Sequence, residues 1–433
     1  MRDILVTAIV FGLLPVILRR PWIGILVWSW IGYMNPHRQA WGFAYSMPFA
    51  MIVAATLMVA MFFSSEKYRL PWSGTLVLWL VFLGWMTLTT VMSIYPERAM
   101  PLYTTVIKIQ IMTLVTMMLI TNPYRIRALI WVIVASIGFY SVKGGVFTLM
   151  TGGAYHVFGP MSSNIYENNA LALATMMVIP LMIYLFKSYP EQRWLRICLG
   201  GAILLSTVSV FGSQSRGALV TMAAVAGFFW LHSRSKVFTG TALAILAVLT
   251  FSFMPESWHE RMATITSYEE DASAMGRIHA WNYSINIAAD RLTGGGFNSW
   301  SEDTYAVYSP ESRTTNIVAH SIYFSVLADH GWPGLILYLA LVCIAWRTLS
   351  KVIVRTRHCT DDFNPALLAK MLKVSLVAYL SGGAFLSLSY FDLPWHIIAL
   401  SVLLGTLYTK TTAENPVSVR SPARRVPLSH GQQ

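Results

Sequence analysis

Three residues stand where ionisable groups are expensive to place. Arg216 lies in Ser213-Gln214-Ser215-Arg216-Gly217 at the end of one long apolar run, and His320 opens another. Arg277 falls inside the polar segment between them, residues 255–316. A charge at the border of an apolar layer is held against a solvation cost, usually for function. A guanidinium fork holds oxyanions bidentately, and an imidazole takes or returns a proton near neutral pH. Weaker candidates are Ser215 beside Arg216, Glu167 and Asn168 at the mouth of an apolar run, Asn298 after Gly294-Gly295-Gly296, and Lys143 late in a long apolar stretch.

Each has a plainer reading. Arg216 and Lys143 can snorkel at an interface, His320 can cap a helix, and Arg277 can pair with Glu269, Glu270 or Asp271. Polar loop residues such as Asn298 are by default solvated.

The elements that must position these residues are membrane-spanning. Of 433 residues, 55% are hydrophobic and 12% charged, with 16 Trp and a mean hydropathy of +0.55. That apolar content exceeds what a soluble core needs, so the chain reads as an all-α polytopic membrane protein. The run from Ile4 to Leu18 is followed by Arg19-Arg20-Pro21 rather than a small-residue cleavage site, which marks a retained helix. Further apolar runs lie near 22–34, 45–63, 72–92, 102–120, 126–149, 166–186, 195–212, 217–231, 237–254, 318–346, 367–388 and 393–409. Most have bilayer length. Twelve or 13 transmembrane helices are expected, depending on whether residues 4–34 form one interrupted crossing or two short helices.

Lys67/Arg69, Arg125/Arg127, Lys187/Arg193/Arg196, Arg234/Lys236, Arg347 through Lys373 and Arg420/Arg424/Arg425 fall on alternate connections. The positive-inside rule assigns these to the cytoplasm. The 255–316 segment, with nine acidic residues against four Arg and no Lys, belongs outside it. Within that segment Ile278, Trp281, Ile285, Ala288 and Ala289 recur at helical spacing, as in an amphipathic interfacial lid. The glycine cluster after it predicts a turn or a close backbone approach. The expected organisation is a transmembrane bundle over 1–254, the loop over 255–316, C-terminal transmembrane helices over 317–410 and a disordered basic tail over 411–433.

The net charge of +12 follows from the basic connections and implies no nucleic-acid partner. Cys198, Cys343 and Cys359 lack CxxC spacing, and His156, His259, His279 and His330 lack metal-ligand spacing, so neither a metal nor another cofactor is expected. The 22 Met residues suit helix-packing gaps.

Ser213 to Gly217, the large loop with its glycine cluster, and the His320 stretch running through Leu327-Ala328-Asp329-His330-Gly331-Trp332-Pro333-Gly334 together resemble the O-antigen ligase and O-antigen polymerase superfamily. The resemblance covers about residues 195–346. Tyr33-Met34-Asn35-Pro36-His37-Arg38 and Asn164-Ile165-Tyr166-Glu167-Asn168-Asn169 are similar to its exosortase-associated O-glycosylation ligase branch. The resemblance implies a lipid-dependent glycosyltransferase architecture in the bacterial inner membrane. It implies transfer of a glycan from undecaprenyl diphosphate to a hydroxyl at the periplasmic face, with lipid A–core as the ligase acceptor. It places the diphosphate-binding arginines on Arg216 and Arg277 and the base on His320. Asp329 departs from the commoner Glu of that motif; it keeps the charge and shortens the reach.

Such a transfer passes through an oxocarbenium-like state while negative charge grows on the leaving phosphate. No Asp-x-Asp metal pair occurs in the chain, which leaves guanidinium to meet that charge. The same donor would serve a protein O-oligosaccharyltransferase or a polysaccharide polymerase, which differ in acceptor. A glycolipid flippase would spread polar residues through many spans, whereas here they gather at one face. A purely structural envelope partner would tolerate loss of Arg216, Arg277 or His320.

Overall fold

The computed structural model describes residues 1–233, 235–256, 258, 272–312, 317–359 and 362–409. The regular elements among them are helices: α1 (Arg2–Arg19), α2 (Pro21–Met34), α3 (Phe49–Phe63), α4 (Gly74–Val91), α5 (Pro96–Leu119), α6 (Pro123–Met150), α7 (Asn168–Ser188) and α8 (Arg193–Gly212), then α9 (Arg216–His232), α10 (Lys236–Phe253), α11 (Ala272–Asp290), α12 (Glu302–Tyr308), α13 (Ile322–Thr356), α14 (Pro365–Gly382) and α15 (Asp392–Thr409), with short 3-10 turns between some of them. Seven, namely α4 to α8, α13 and the segment Pro365–Phe385 that contains α14, are long and apolar enough to cross a membrane. Phe49–Phe63, Arg216–His232 and Lys236–Ile245 are apolar but shorter. Residues 4–34 form two helices broken at Arg20 (φ −139°, ψ 82°), because Pro21 disfavours helical backbone in the residue before it.

Small residues let the central helices approach closely. A Cβ on Gly145 of α6 would lie 2.0 Å from the Leu205 carbonyl oxygen of α8, and Ser141 and Ser206 share a 2.7 Å hydrogen bond across the same crossing. The bundle has two chemically distinct ends. At one, Arg125 pairs with Glu66 at 2.9 Å, the Arg127 guanidinium donates to the Asp362 carbonyl at 2.7 Å, and Arg355 donates to the Thr409 carbonyl. At the other meet the 151–166 connection, the Ser213–Ser215 turn, the glycine cluster, His320 and the 383–391 connection.

The long helix α13 is broken at Gly331 (φ 65°, ψ −173°). Pro333 has no N–H to give to the Asp329 carbonyl, and the break takes Trp332 out of register with Ala328. The glycine cluster repairs both losses: Gly295 N–H donates to Ala328 O at 2.8 Å and Gly296 N–H to Asp329 O at 3.0 Å. Gly294 and Gly296 adopt φ of +64° and +79° to do so. The close backbone approach expected at 294–296 is therefore to the protein's own broken helix.

A Cβ on Gly331 would stand 2.1 Å from the Leu292 carbonyl oxygen in a left-handed conformation. Gly331→Ala is expected to destabilise the protein by roughly 2 kcal/mol or more. Thermal unfolding in detergent checks this, and a wild-type midpoint would contradict so tight a crossing.

The amphipathic helix in the polar segment exists as α11, but its buried face only partly overlaps the expected one: Ala288 is buried and Ile278 and Trp281 are half-buried, as the spacing predicts. Ala280, Tyr283, Ser284, Ile287 and Ala288 are buried, while Ile285 is 40% exposed and Ala289 is exposed. Aromatic packing sets the phase: Tyr283 stacks on Tyr305 of α12 at 4.7 Å and lies 4.6 Å from Trp300. Glu269, Glu270, Asp271 and the 411–433 tail lie outside the described residues.

Candidate active site

The turn between α8 and α9 is built from its own side chains. The Ser213 hydroxyl accepts from the Ser215 N–H at 3.3 Å, and Ser215 caps α9 by accepting from the Ala218 N–H at 3.1 Å. Gln214 takes a left-handed φ of 52° and donates from its amide to the Gly153 carbonyl at 2.8 Å. Arg216 is thereby set at the first position of α9, half-buried. Its neighbour Gly217 packs against Phe385, where a Cβ would have only 3.3 Å. The Ser215 hydroxyl is committed to the helix cap.

From α7, Asn168 donates through its side-chain amide to the Ser213 carbonyl at 2.7 Å. This ties Glu167 and Asn168, at the start of that helix, to the Arg216 turn.

His320 lies in the connection just before α13 with φ +45°. A left-handed non-glycine residue is held there by its surroundings, and such strain concentrates at functional sites. Those surroundings are α11 and the 383–391 connection. The Trp281 indole donates to the Ala319 carbonyl at 2.9 Å and its ring stacks on Phe324 at 4.9 Å. Ser389 donates to the Ile322 carbonyl at 3.1 Å. Arg277 is one turn before Trp281, so it shares the docked face of α11.

Electrostatics couples three of these groups. The His320 imidazole is pushed below its ordinary 6.5, first by burial and then by the Arg277 charge, while Glu167 pulls it back up. Arg277 and Glu167 thus both lie within electrostatic reach of His320, and Asn168 links this cluster to the turn that carries Arg216. A neutral imidazole next to a guanidinium can accept a proton while the guanidinium holds an anion.

Asn298 and Lys143 lie outside that cluster. Asn298 (φ 57°) donates to the Arg98 carbonyl at 3.2 Å and lines a separate cleft. Lys143 is exposed on α6 beside a recess of about 220 Å³ shared with His156 and Phe158.

The cleft, about 160 Å³, is a feature the sequence alone does not disclose. Asn164, Asn298, Trp300, Ser325, Asp329 and Tyr390 are among its walls. Asp329 is 4% exposed and accepts from the Tyr390 hydroxyl at 2.9 Å. A buried carboxyl group, amides, hydroxyls and flat rings are the groups that hold sugars. The available signal was Ser389-Tyr390-Phe391-Asp392, a polar and aromatic connection between two apolar runs; its 61-residue separation from Asp329 hides the pairing.

A family model described as O-antigen ligase matches residues 201–339, and a family of unknown function (DUF5935) matches residues 1–190. No curated protein and no solved structure matches the chain. The second match contains both the 33–38 and 164–169 segments and carries no activity with it. The first runs from α8 through the break in α13 and contains Arg216, Arg277 and His320; over residues 201–339 the chain carries an O-antigen ligase family domain.

Proposed function

We propose that this protein is an O-antigen ligase that transfers a glycan from undecaprenyl diphosphate to a hydroxyl of lipid A–core at the periplasmic face of the inner membrane. The observation that carries the proposal is a strained, half-buried His320 within electrostatic reach of Arg277 at one end of a membrane bundle, inside the family match. His320 takes the proton of the acceptor hydroxyl. The hydroxyl oxygen bonds to the anomeric carbon as the bond from that carbon to the diphosphate oxygen breaks. Arg216 and Arg277 hold the diphosphate as its negative charge grows. Attack opposite the leaving group inverts the anomeric centre.

The Asp329–Tyr390 cleft supports a saccharide next to this cluster, because Val318, two residues from His320, is also in its wall. The basic end of the bundle supports a cytoplasmic orientation for that end and a periplasmic one for the end that carries His320.

The test is purified protein given a lipid-linked glycan together with lipid A–core, a protein, or a second lipid-linked glycan. Product on lipid A–core alone is expected. Product only on protein or only on glycan would reassign the chain to an O-oligosaccharyltransferase or a polymerase. Because guanidinium groups meet the charge here and no Asp-x-Asp occurs in the sequence, EDTA should leave the rate unchanged. A loss restored by a divalent ion would overturn that part.

A further inference from the structure

At the end of the bundle away from His320, a groove of about 630 Å³ lies between α7, α9, α10, α13 and α14. Ser350 and Ile353 of its wall are near the C-terminus of α13, while His320 precedes the N-terminus of that helix. At about 1.5 Å per residue the two places are roughly 40 Å apart along the bundle.

The groove has two kinds of wall. Phe228, Phe229, Ile353, Val354, Leu367 and Val374 make a continuous apolar surface, and Val354 is 67% exposed. Lys187, Lys370 and Lys373 make a cationic one. Lys187 and Lys370 are exposed, and Lys373 is half-buried.

Lys373 is the informative residue. It lies eight residues into α14, about 12 Å below the start of that helix. There its ammonium donates to the Ser350 hydroxyl at 3.1 Å and stands 4.0 Å over the Trp346 ring. Among the described residues no carboxylate forms an ion pair with Lys187, Lys370 or Lys373. Lysines that only fix topology sit at exposed helix ends or in connections, as Lys187 does in the last turn of α7. A lysine two helical turns inside a spanning segment without a carboxylate calls for an anion from elsewhere.

We infer that this groove binds an anionic phospholipid, with its phosphate at Lys187, Lys370 and Lys373 and an acyl chain along Phe228, Phe229, Ile353 and Val354. Charge complementarity selects the headgroup, and the apolar floor selects a lipid over a soluble anion. Basic recesses between membrane helices are recognised sites for such headgroups. The proposal requires membrane insertion but no particular glycan chemistry, so it stands or falls apart from the proposed function.

The experiment is native mass spectrometry of the full chain in detergent, titrated with phosphatidylglycerol or with phosphatidylcholine of the same acyl chains. Phosphatidylglycerol should be retained preferentially, and each lysine removed should weaken that retention about fivefold. Lys187→Ala/Lys370→Ala changes only exposed side chains, so it tests the site even if Lys373→Met fails to fold. Equal retention of the two lipids, or unchanged phosphatidylglycerol retention in the double variant, would overturn the proposal. So would displacement of the lipid by inorganic phosphate at equal concentration, which would mark a site for soluble anions.

Discussion

His320→Ala should lower glycan transfer by about 10²–10⁴-fold, the contribution typical of a positioned general base, while the protein remains at normal membrane levels. The fold should tolerate the change: α13 is anchored on either side of His320 by the Trp281 indole on Ala319 and by Ser389 on Ile322. Removing the side chain also relieves crowding at a left-handed backbone position only slightly, so no large loss of stability is expected from that source.

The pH dependence gives a second reading of the same group. Burial and Arg277 hold the His320 imidazole below 6.5, so it is mainly the neutral base at pH 7 and takes up its proton at lower pH than a free imidazole. Transfer should therefore decline at a lower pH than a free imidazole base would dictate. Glu167 favours the charged imidazole, so Glu167→Gln should move the decline to still lower pH. It should also slow the plateau rate, because a less basic imidazole draws the proton less strongly. Near-full ligation by purified His320→Ala would remove it as the base. A decline at or above pH 6.5 that ignores Glu167→Gln would mean that another group titrates.

What the sequence discloses depends on how far apart the interacting residues are. Arg216 and His320 stand out one by one because each is a polar group beside an apolar run, whereas Arg277 lies inside the polar segment and is singled out by the family resemblance. The helices α4 to α8 are legible because 18 or more apolar residues need no partner to be recognised. The buried face of α11 is legible only in part, since Tyr283 is drawn inward by Tyr305 and Trp300, and helical spacing of Ile278, Trp281 and Ile285 says nothing about aromatic partners beyond the helix. The glycine cluster shows the same limit. Gly294 to Gly296 announce a turn, but their purpose depends on Pro333 leaving a carbonyl unsatisfied more than thirty residues later. Lys373 is the converse case: in sequence it is one more basic residue near a connection, and only its depth on α14 beside Trp346 separates it from the topology-setting lysines.

Arg277→Ala should lower transfer by about 10²–10³-fold, the loss seen when one donor to a developing anion is removed. The competing explanation is that Arg277 merely orders α11. The docking of that helix argues against it: Trp281 bonds Ala319 and stacks on Phe324, and Tyr283 is fully buried among Tyr305, Trp300 and Tyr308. Those contacts survive the substitution, so the variant should keep wild-type thermal stability and wild-type protection of α11 from proteolysis. Arg277→Lys separates charge from shape. It should recover only part of the rate, because an ammonium is a point charge where the guanidinium is a planar fork. The two variants should also differ at His320. Alanine removes a charge that opposes the imidazolium and so raises the pH at which residual activity declines, whereas lysine holds it near the wild-type position. Equal rates for Arg277→Ala and the wild type, or loss of α11 protection in step with loss of rate, would assign Arg277 to structure and leave the diphosphate to Arg216.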